Sequence, residues 1–237
     1  MLDEILLYDL NDSPFCLKAR ICLQLKNVPF RRVTVTVGRL RELGRLNPLA
    51  QVPVLMHHGE VIADAGRIAR FLERQYPEPA IIPADPAARA YAALLEEWAD
   101  EALSFAIGGC AWLNPDNDAA ARANTVDEMT GTLLRPLVGW RIVRRFRARY
   151  AARGYGAATH GELVDRLRDH LEVLETLLEG KPYLLGRRST LADVAVFAQL
   201  TWMQRYAEAR LLREAPGVTA WLARVGAEPA IAAALSS

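Results

Sequence analysis

An α/β domain built on a mixed sheet, followed by a larger all-helical domain, is the fold class that this 237-residue chain predicts. Three observations carry it. Over roughly the first 80 residues, short β-branched or apolar runs alternate with amphipathic ones. The stretch Tyr76-Pro77-Glu78-Pro79-Ala80-Ile81-Ile82-Pro83-Ala84-Asp85-Pro86 then holds too many prolines for a helix or a central strand. Beyond it, apolar residues recur only at helical spacing.

Taken in order, Ile5-Leu6-Leu7-Tyr8 reads as a buried strand over 4–9. Ser13-Pro14 opens a helix over 14–26: Ser is a good N-cap, and Pro suits the first helical position because its missing N–H has no partner there. Arg31-Arg32-Val33-Thr34-Val35-Thr36 alternates as an outer strand over 31–36. A short helix follows at 39–45, then strands 53–57 and 60–63, with His57-His58-Gly59 read as the turn between them. A helix over 65–75 completes a four-stranded α/β unit. We place this domain at 1–78, a linker at 79–86 and an all-α domain at 87–237, with helical spacing in 87–107, 119–151, 160–179, 191–208 and 216–224. Thr190-Leu191-Ala192-Asp193 is a capping box with Asp in the place more often held by Glu or Gln.

Bulk properties exclude several classes. A chain that is 51% hydrophobic and 24% charged has the composition of an ordinary globular protein. A net charge of +1 supplies no general attraction to nucleic acid or acidic membranes. No apolar run approaches the roughly 18–20 residues that span a bilayer, and the acidic start Met1-Leu2-Asp3-Glu4 lacks the basic region of a secretory signal. Cys16, Cys22 and Cys110 are odd in number and lack metal-ligand spacing, as do His160 and His170, so a cytoplasmic protein without a metal is expected.

The chemistry concentrates in two segments. Ser13-Pro14-Phe15-Cys16 lies where a strand ends and a helix begins, so a thiolate there would face free backbone N–H groups and the positive end of the helix dipole. Asn47-Pro48-Leu49-Ala50-Gln51-Val52-Pro53-Val54-Leu55 enters a strand through Pro53, which marks a turn, an edge or a cis bond. Together with Arg20 and the late Thr190-Leu191-Ala192-Asp193, these segments resemble the cytosolic glutathione S-transferases in order and spacing over most of the chain. The Ser-Pro-Phe-Cys start is most similar to the serine-type tau class and to the omega class, which has Cys where this chain has Ser13.

The resemblance implies a thioredoxin-like N-terminal domain, a cytoplasmic homodimer and a role in detoxification. Glutathione would be the co-substrate, and its thiolate would attack a small hydrophobic electrophile. Ser13 would be catalytic, donating its hydroxyl to the sulfur. Phe15, Gln51, Val52, Pro53, Asp64 and Ala65 would help to hold glutathione, with Val52 pairing strand-like to its cysteinyl part. Asp64-Ala65 departs from the family's usual Glu-Ser and removes one hydroxyl from the γ-glutamyl site, while Arg67 one turn on is a candidate compensation. Two alternatives remain: a glutathione-dependent thiol reductase acting through Cys16, and a non-catalytic binding protein that keeps the fold.

Leu103, Phe105, Ala106, Cys110 and Trp112 are candidate lining of the substrate pocket or, equally, core. Arg141, Arg144, Arg145, Arg147, Arg149 and Arg153 form a basic run, yet Val143, Phe146 and Tyr150 make it the polar face of an amphipathic helix. No nucleic-acid site is therefore expected, and an anion or acidic partner fits it better.

Overall fold

The computed structural model describes residues 4–156 and 159–236, with backbone alone over 131–137. Met1, Leu2 and Asp3 of the acidic start lie outside the described residues. Its first part is a four-stranded mixed sheet of β1 (Leu6–Asp9), β2 (Arg31–Thr34), β3 (Val54–His57) and β4 (Glu60–Ala63), in the order β2-β1-β3-β4. β1 and β2 run parallel, joined by helix α1 (Pro14–Leu25); β3 is antiparallel to β1, and β4 to β3. Helix α2 (Leu40–Leu46) precedes β3, and α3 (Ala65–Gln75) follows β4.

Alternation along the strands sorts the side chains between two layers. Leu7, Leu55 and Ile62 lie in register and join the core shared with α1 and α3. Tyr8, Val33 and Val54 face the other way and pack with Leu43 of α2. The turn before β4 consists of His58 and Gly59, both at positive φ. His57 belongs to β3 rather than to the turn: its Nε2 lies 2.7 Å from the Tyr76 hydroxyl and its ring packs on Phe71.

The second part is mainly helical. Asp85 accepts the Ala88 N–H at 2.8 Å, so α4 (Pro86–Trp98) begins at Pro86, the last residue assigned to the linker. A π-turn at Ala99–Leu103 leads into α5 (Ser104–Leu113). After α6 (Asp118–Ala121), a second π-turn at Arg122–Val126 precedes α7 (Asp127–Ala151). Among the described residues the α-helices that follow are α8 (His160–Leu178), α9 (Leu191–Met203), α10 (Pro216–Gly226) and α11 (Pro229–Ser236), with a 3-10 helix at Ala207–Glu214 after α9. α9 stops at Met203, five residues short of the spacing-based expectation of 208, and α11 had no counterpart in it.

α1 packs against α3, α9 and α11, so the helix that starts at Ser13 is wedged between the two parts. Asp193 fixes α9. Its Oδ2 takes the Thr190 N–H at 2.9 Å, while Oδ1 takes the Leu184 N–H at 2.9 Å and the Trp221 indole at 3.1 Å. Lys18 of α1 is 1% exposed and reaches Glu96 at 2.7 Å and Asp100 at 2.6 Å. Among the described residues no helix is long and apolar enough to cross a membrane.

Candidate functional site

Sheet register explains why the singled-out segments meet. Tyr8 pairs with Val54, and Val54 with Ala63, so the end of β1, the start of β3 and the end of β4 share one edge of the sheet. Residues that leave β1, enter β3 and leave β4 are Ser13, Val52-Pro53 and Asp64-Ala65. In open α/β sheets ligands bind outside the carboxyl ends of parallel strands. β1 is one of the two parallel strands here, and Ser13 follows its carboxyl end.

Ser13 is the N-cap of α1, in extended conformation, and its Oγ accepts the Cys16 N–H at 3.3 Å with Pro14 at the first helical position. Ser13 is half-buried, as is Phe15. Behind them, Asp9 is fully buried at the end of β1 and binds Arg20 at 2.9 and 3.0 Å and Arg32 at 2.5 Å. Cys16 is fully buried, and the Leu10 N–H points to its sulfur at 3.4 Å. Burial first, and the Asp9 carboxylate second, hold its thiol well above the ordinary range. Such a thiol is a packing group rather than a nucleophile. Cys22 is likewise buried, its thiol pushed up to about 12, and burial raises Cys110 as well.

The Val52–Pro53 bond is cis. Asn47 shapes the loop that leads to it, donating to the Gln51 carbonyl at 2.9 Å and accepting the Leu49 N–H at 3.1 Å. Gln51 is exposed, Val52 half-buried and Pro53 buried, and the Pro53 carbonyl accepts the Asp64 N–H at 3.2 Å. Asp64 sits at φ +83°, a conformation that costs a non-glycine residue about 1–3 kcal/mol and collects at ligand sites. Its Oδ1 caps α3 by accepting the Arg67 N–H at 2.9 Å. The carboxylate is therefore turned onto its own helix start, and the Arg67 side chain is exposed. Ala65 is buried.

A second cluster had no signal in the local sequence pattern. Asp12, directly before the cap, is buried and accepts a hydrogen bond from the Thr125 hydroxyl and one from Tyr206 at 3.4 Å. Arg205 lies 3.7 Å from its Oδ1. Glu128 accepts the N–H groups of Asn11 at 2.7 Å and Asp12 at 3.3 Å. Burial outweighs these partners and pushes the Asp12 carboxyl up to about 6. The loop that carries Ser13 is thus held from the helical part.

Phe105, Cys110 and Trp112 are core residues in this structure. All three are buried; Phe105 packs on Tyr150 and Tyr155, and Trp112 stacks on Phe146 at 4.3 Å. Leu103 and Ala106 are fully buried. A cavity of about 40 Å³ opens at Ser13, bordered by Leu17, Trp202, Arg205 and Leu235. A groove of about 700 Å³ lies elsewhere, between α5, α6 and α7; it is lined by Arg144 and Arg147 of the basic run and by Arg122. Ser13 is not among the residues that line it.

Comparison with known proteins agrees with this architecture. The family model described as glutathione S-transferase, N-terminal domain, matches residues 7–80, and that for the C-terminal domain matches residues 147–224. The chain is 26% identical over 238 residues to protein LigF of Sphingobium sp. strain SYK-6, covering 95% of this chain and 90% of that protein. The crystal structure of that protein, the beta-etherase LigF, superposes with a TM-score of 0.77 at 25% identity, covering 98% of both chains. FtsZ-localized protein A of Caulobacter vibrioides is 29% identical over 194 residues, 80% of this chain and 72% of that protein. A glutathione transferase family member from Pseudomonas fluorescens, solved with two glutathione molecules bound, shares the fold at a TM-score of 0.74 and 19% identity, covering 99% and 93% of the two chains. The chain is thus a protein of the cytosolic glutathione S-transferase fold, a thioredoxin-like part joined to a helical one.

Proposed function

We propose that this protein is a glutathione transferase in which Ser13 donates its hydroxyl to the glutathione sulfur and stabilises the thiolate for attack on an apolar electrophile. The observation that carries this reading is the meeting of three features at one sheet edge: the Ser13 cap of α1, the Val52-Pro53 entry into β3 and the strained Asp64 cap of α3. A hydroxyl and a helix dipole each favour a thiolate, and together they lower a thiol pKa by about one to two units. Cys16 is buried with a raised thiol pKa, which favours Ser13 over a reductase mechanism through Cys16. Val52 would offer its backbone to the cysteinyl part of glutathione, with Phe15, Gln51 and the α3 start around it. In this reading the missing hydroxyl at Ala65 and the self-capping of Asp64 weaken glutathione binding rather than abolish it.

Full-length similarity to the beta-etherase LigF makes an ether the first electrophile to try. Similarity to FtsZ-localized protein A supports the other reading, a binding protein without turnover. The test is a pH titration of the ultraviolet thiolate band of bound glutathione in wild type and Ser13→Ala. The expected result is a thiolate pKa well below that of free glutathione, restored toward it by the mutation. A depressed pKa that survives the mutation would remove Ser13 from the mechanism. Absence of glutathione binding would favour the non-catalytic reading.

A further inference from the structure

Two arginines border the small cavity at Ser13, and they differ in how they are paired. Arg20 is buried and turned to Asp9, with both carboxylate oxygens within 3.0 Å of its Nη1. Arg205 is the other. Its Nη1 stands 3.7 Å from Asp12 Oδ1, beyond hydrogen-bond distance, and its side chain is 43% exposed. Asp12 itself is anchored from the far side by Thr125 and Tyr206, with the Trp202 indole also facing it. The guanidinium thus stands at ion-pair distance from Asp12 and borders the cavity that Ser13 also lines. The rest of the wall is mixed, apolar at Pro14, Leu17, Ala198 and Leu235 and polar at Asn11 and Thr201. A planar guanidinium in such a setting suits an oxygen anion better than a halide. The cavity, about 40 Å³, has room for an oxygen-sized group.

We propose that Arg205, braced by Asp12, is a further catalytic residue of the thiol site and selects electrophiles whose leaving atom departs as an oxyanion. The proposal rests on the glutathione transferase reading. In the step, the glutathione thiolate attacks carbon and a C–S bond forms. The C–O bond of an aryl ether breaks with its electron pair on oxygen, and the aryloxide is released beside Arg205 and later protonated by water. No oxidant or reductant is required. Asp12 acts as a positioning residue, since it touches Arg205 and not the reacting atoms.

The experiment compares two electrophiles with the same enzyme: phenacyl 4-nitrophenyl ether, which expels an aryloxide, and benzyl chloride, which expels chloride. Any change in the thiolate itself moves both rates together, so their ratio isolates the leaving group. Arg205→Met is expected to lower the ether-to-chloride ratio of kcat/KM by about a hundredfold, the scale of losing one oxyanion donor. Arg205→Lys should restore part of it, and Asp12→Asn should lower it by about tenfold. Arg205 is exposed, so its variants are expected to keep the wild-type thermal unfolding midpoint, which is checked first. An unchanged ratio in Arg205→Met, or equal loss with both electrophiles, would overturn the proposal. If wild type conjugates neither compound and the glutathione thiolate titration also fails, the transferase reading falls and this inference with it. If the titration succeeds but only benzyl chloride reacts, the oxyanion selection alone is refuted.

Discussion

Asp12 shows how one buried carboxyl turns into a pH dependence. Its pKa moves from 3.8 to about 6, chiefly because burial disfavours the charged form, with Thr125 and Arg205 opposing that rise and Glu128 adding to it. A carboxyl that holds its proton more tightly when folded stabilises the fold fully below its unfolded pKa. That contribution is lost as the pH rises through the folded value. Asp12 should therefore cost the protein about 2 kcal/mol between pH 4 and pH 7. Asparagine carries no such titration. Urea unfolding of wild type and Asp12→Asn across this range should show their stability difference shifting by about that amount in favour of the variant. A difference that stays constant with pH would mean that the carboxyl titrates normally. The sequence could not announce this residue. Ser13 was legible because capping is local, and Val52-Pro53 because proline restricts its own backbone. Asp12 and Thr125 are 113 positions apart, and no period or spacing connects them.

At the scale of elements, helix starts and strand alternation were readable from composition, whereas the two π-turns were not. Both matter for the site. The turn at Ala99–Leu103 carries Asp100 to Lys18, and that at Arg122–Val126 carries Thr125 to Asp12. An inserted residue changes which face a side chain takes without altering the apolar pattern enough to be noticed. The same limit explains Phe105, Cys110 and Trp112, whose apolar character was equally compatible with a pocket and with core. In the structure all three are buried, and the α5 backbone beside them is approached closely at Gly108 by Tyr150 and at Gly109 by Leu163. A Cβ on Gly108 would stand 2.1 Å from the Tyr150 hydroxyl. Alanine favours a helix over glycine by about 1 kcal/mol, but overpacking a core costs about 1–3. Gly108→Ala is therefore expected to destabilise the protein by up to about 2 kcal/mol, while Gly44→Ala in α2, where nothing lies within 4 Å, stabilises it by up to about 1 kcal/mol. Denaturant unfolding measures both. Stabilisation by Gly108→Ala would mean that Tyr150 moves freely and that α5 is not close-packed there.

Across the whole molecule, the sheet part and the helical part are joined by buried charge rather than by apolar contact alone. Lys18 lies on α1, and its two partners lie on α4 and the turn after it. Burial pulls the Lys18 pKa down, but Asp100 and Glu96 together outweigh it and the net direction is upward, so the ammonium is retained inside the protein. Removing only the cation leaves two carboxylates with little water, and Arg70 at 3.0 Å from Glu96 relieves one of them. Breaking a buried ion pair from one side costs about 3–5 kcal/mol, whereas replacing the whole group by neutral side chains is often close to neutral. Lys18→Met should therefore destabilise the protein by about 3–5 kcal/mol, and adding Glu96→Gln and Asp100→Asn to it should recover most of that loss. The same cross-link also predicts cooperativity. Since α1 carries both Lys18 and the Ser13 cap, loss of the helical part should release the thiol site, and unfolding of wild type should follow one transition by circular dichroism and by tryptophan fluorescence. Two separated transitions in wild type would show that the two parts unfold independently, and a triple variant no more stable than Lys18→Met would show that the loss does not come from unpaired buried carboxylates.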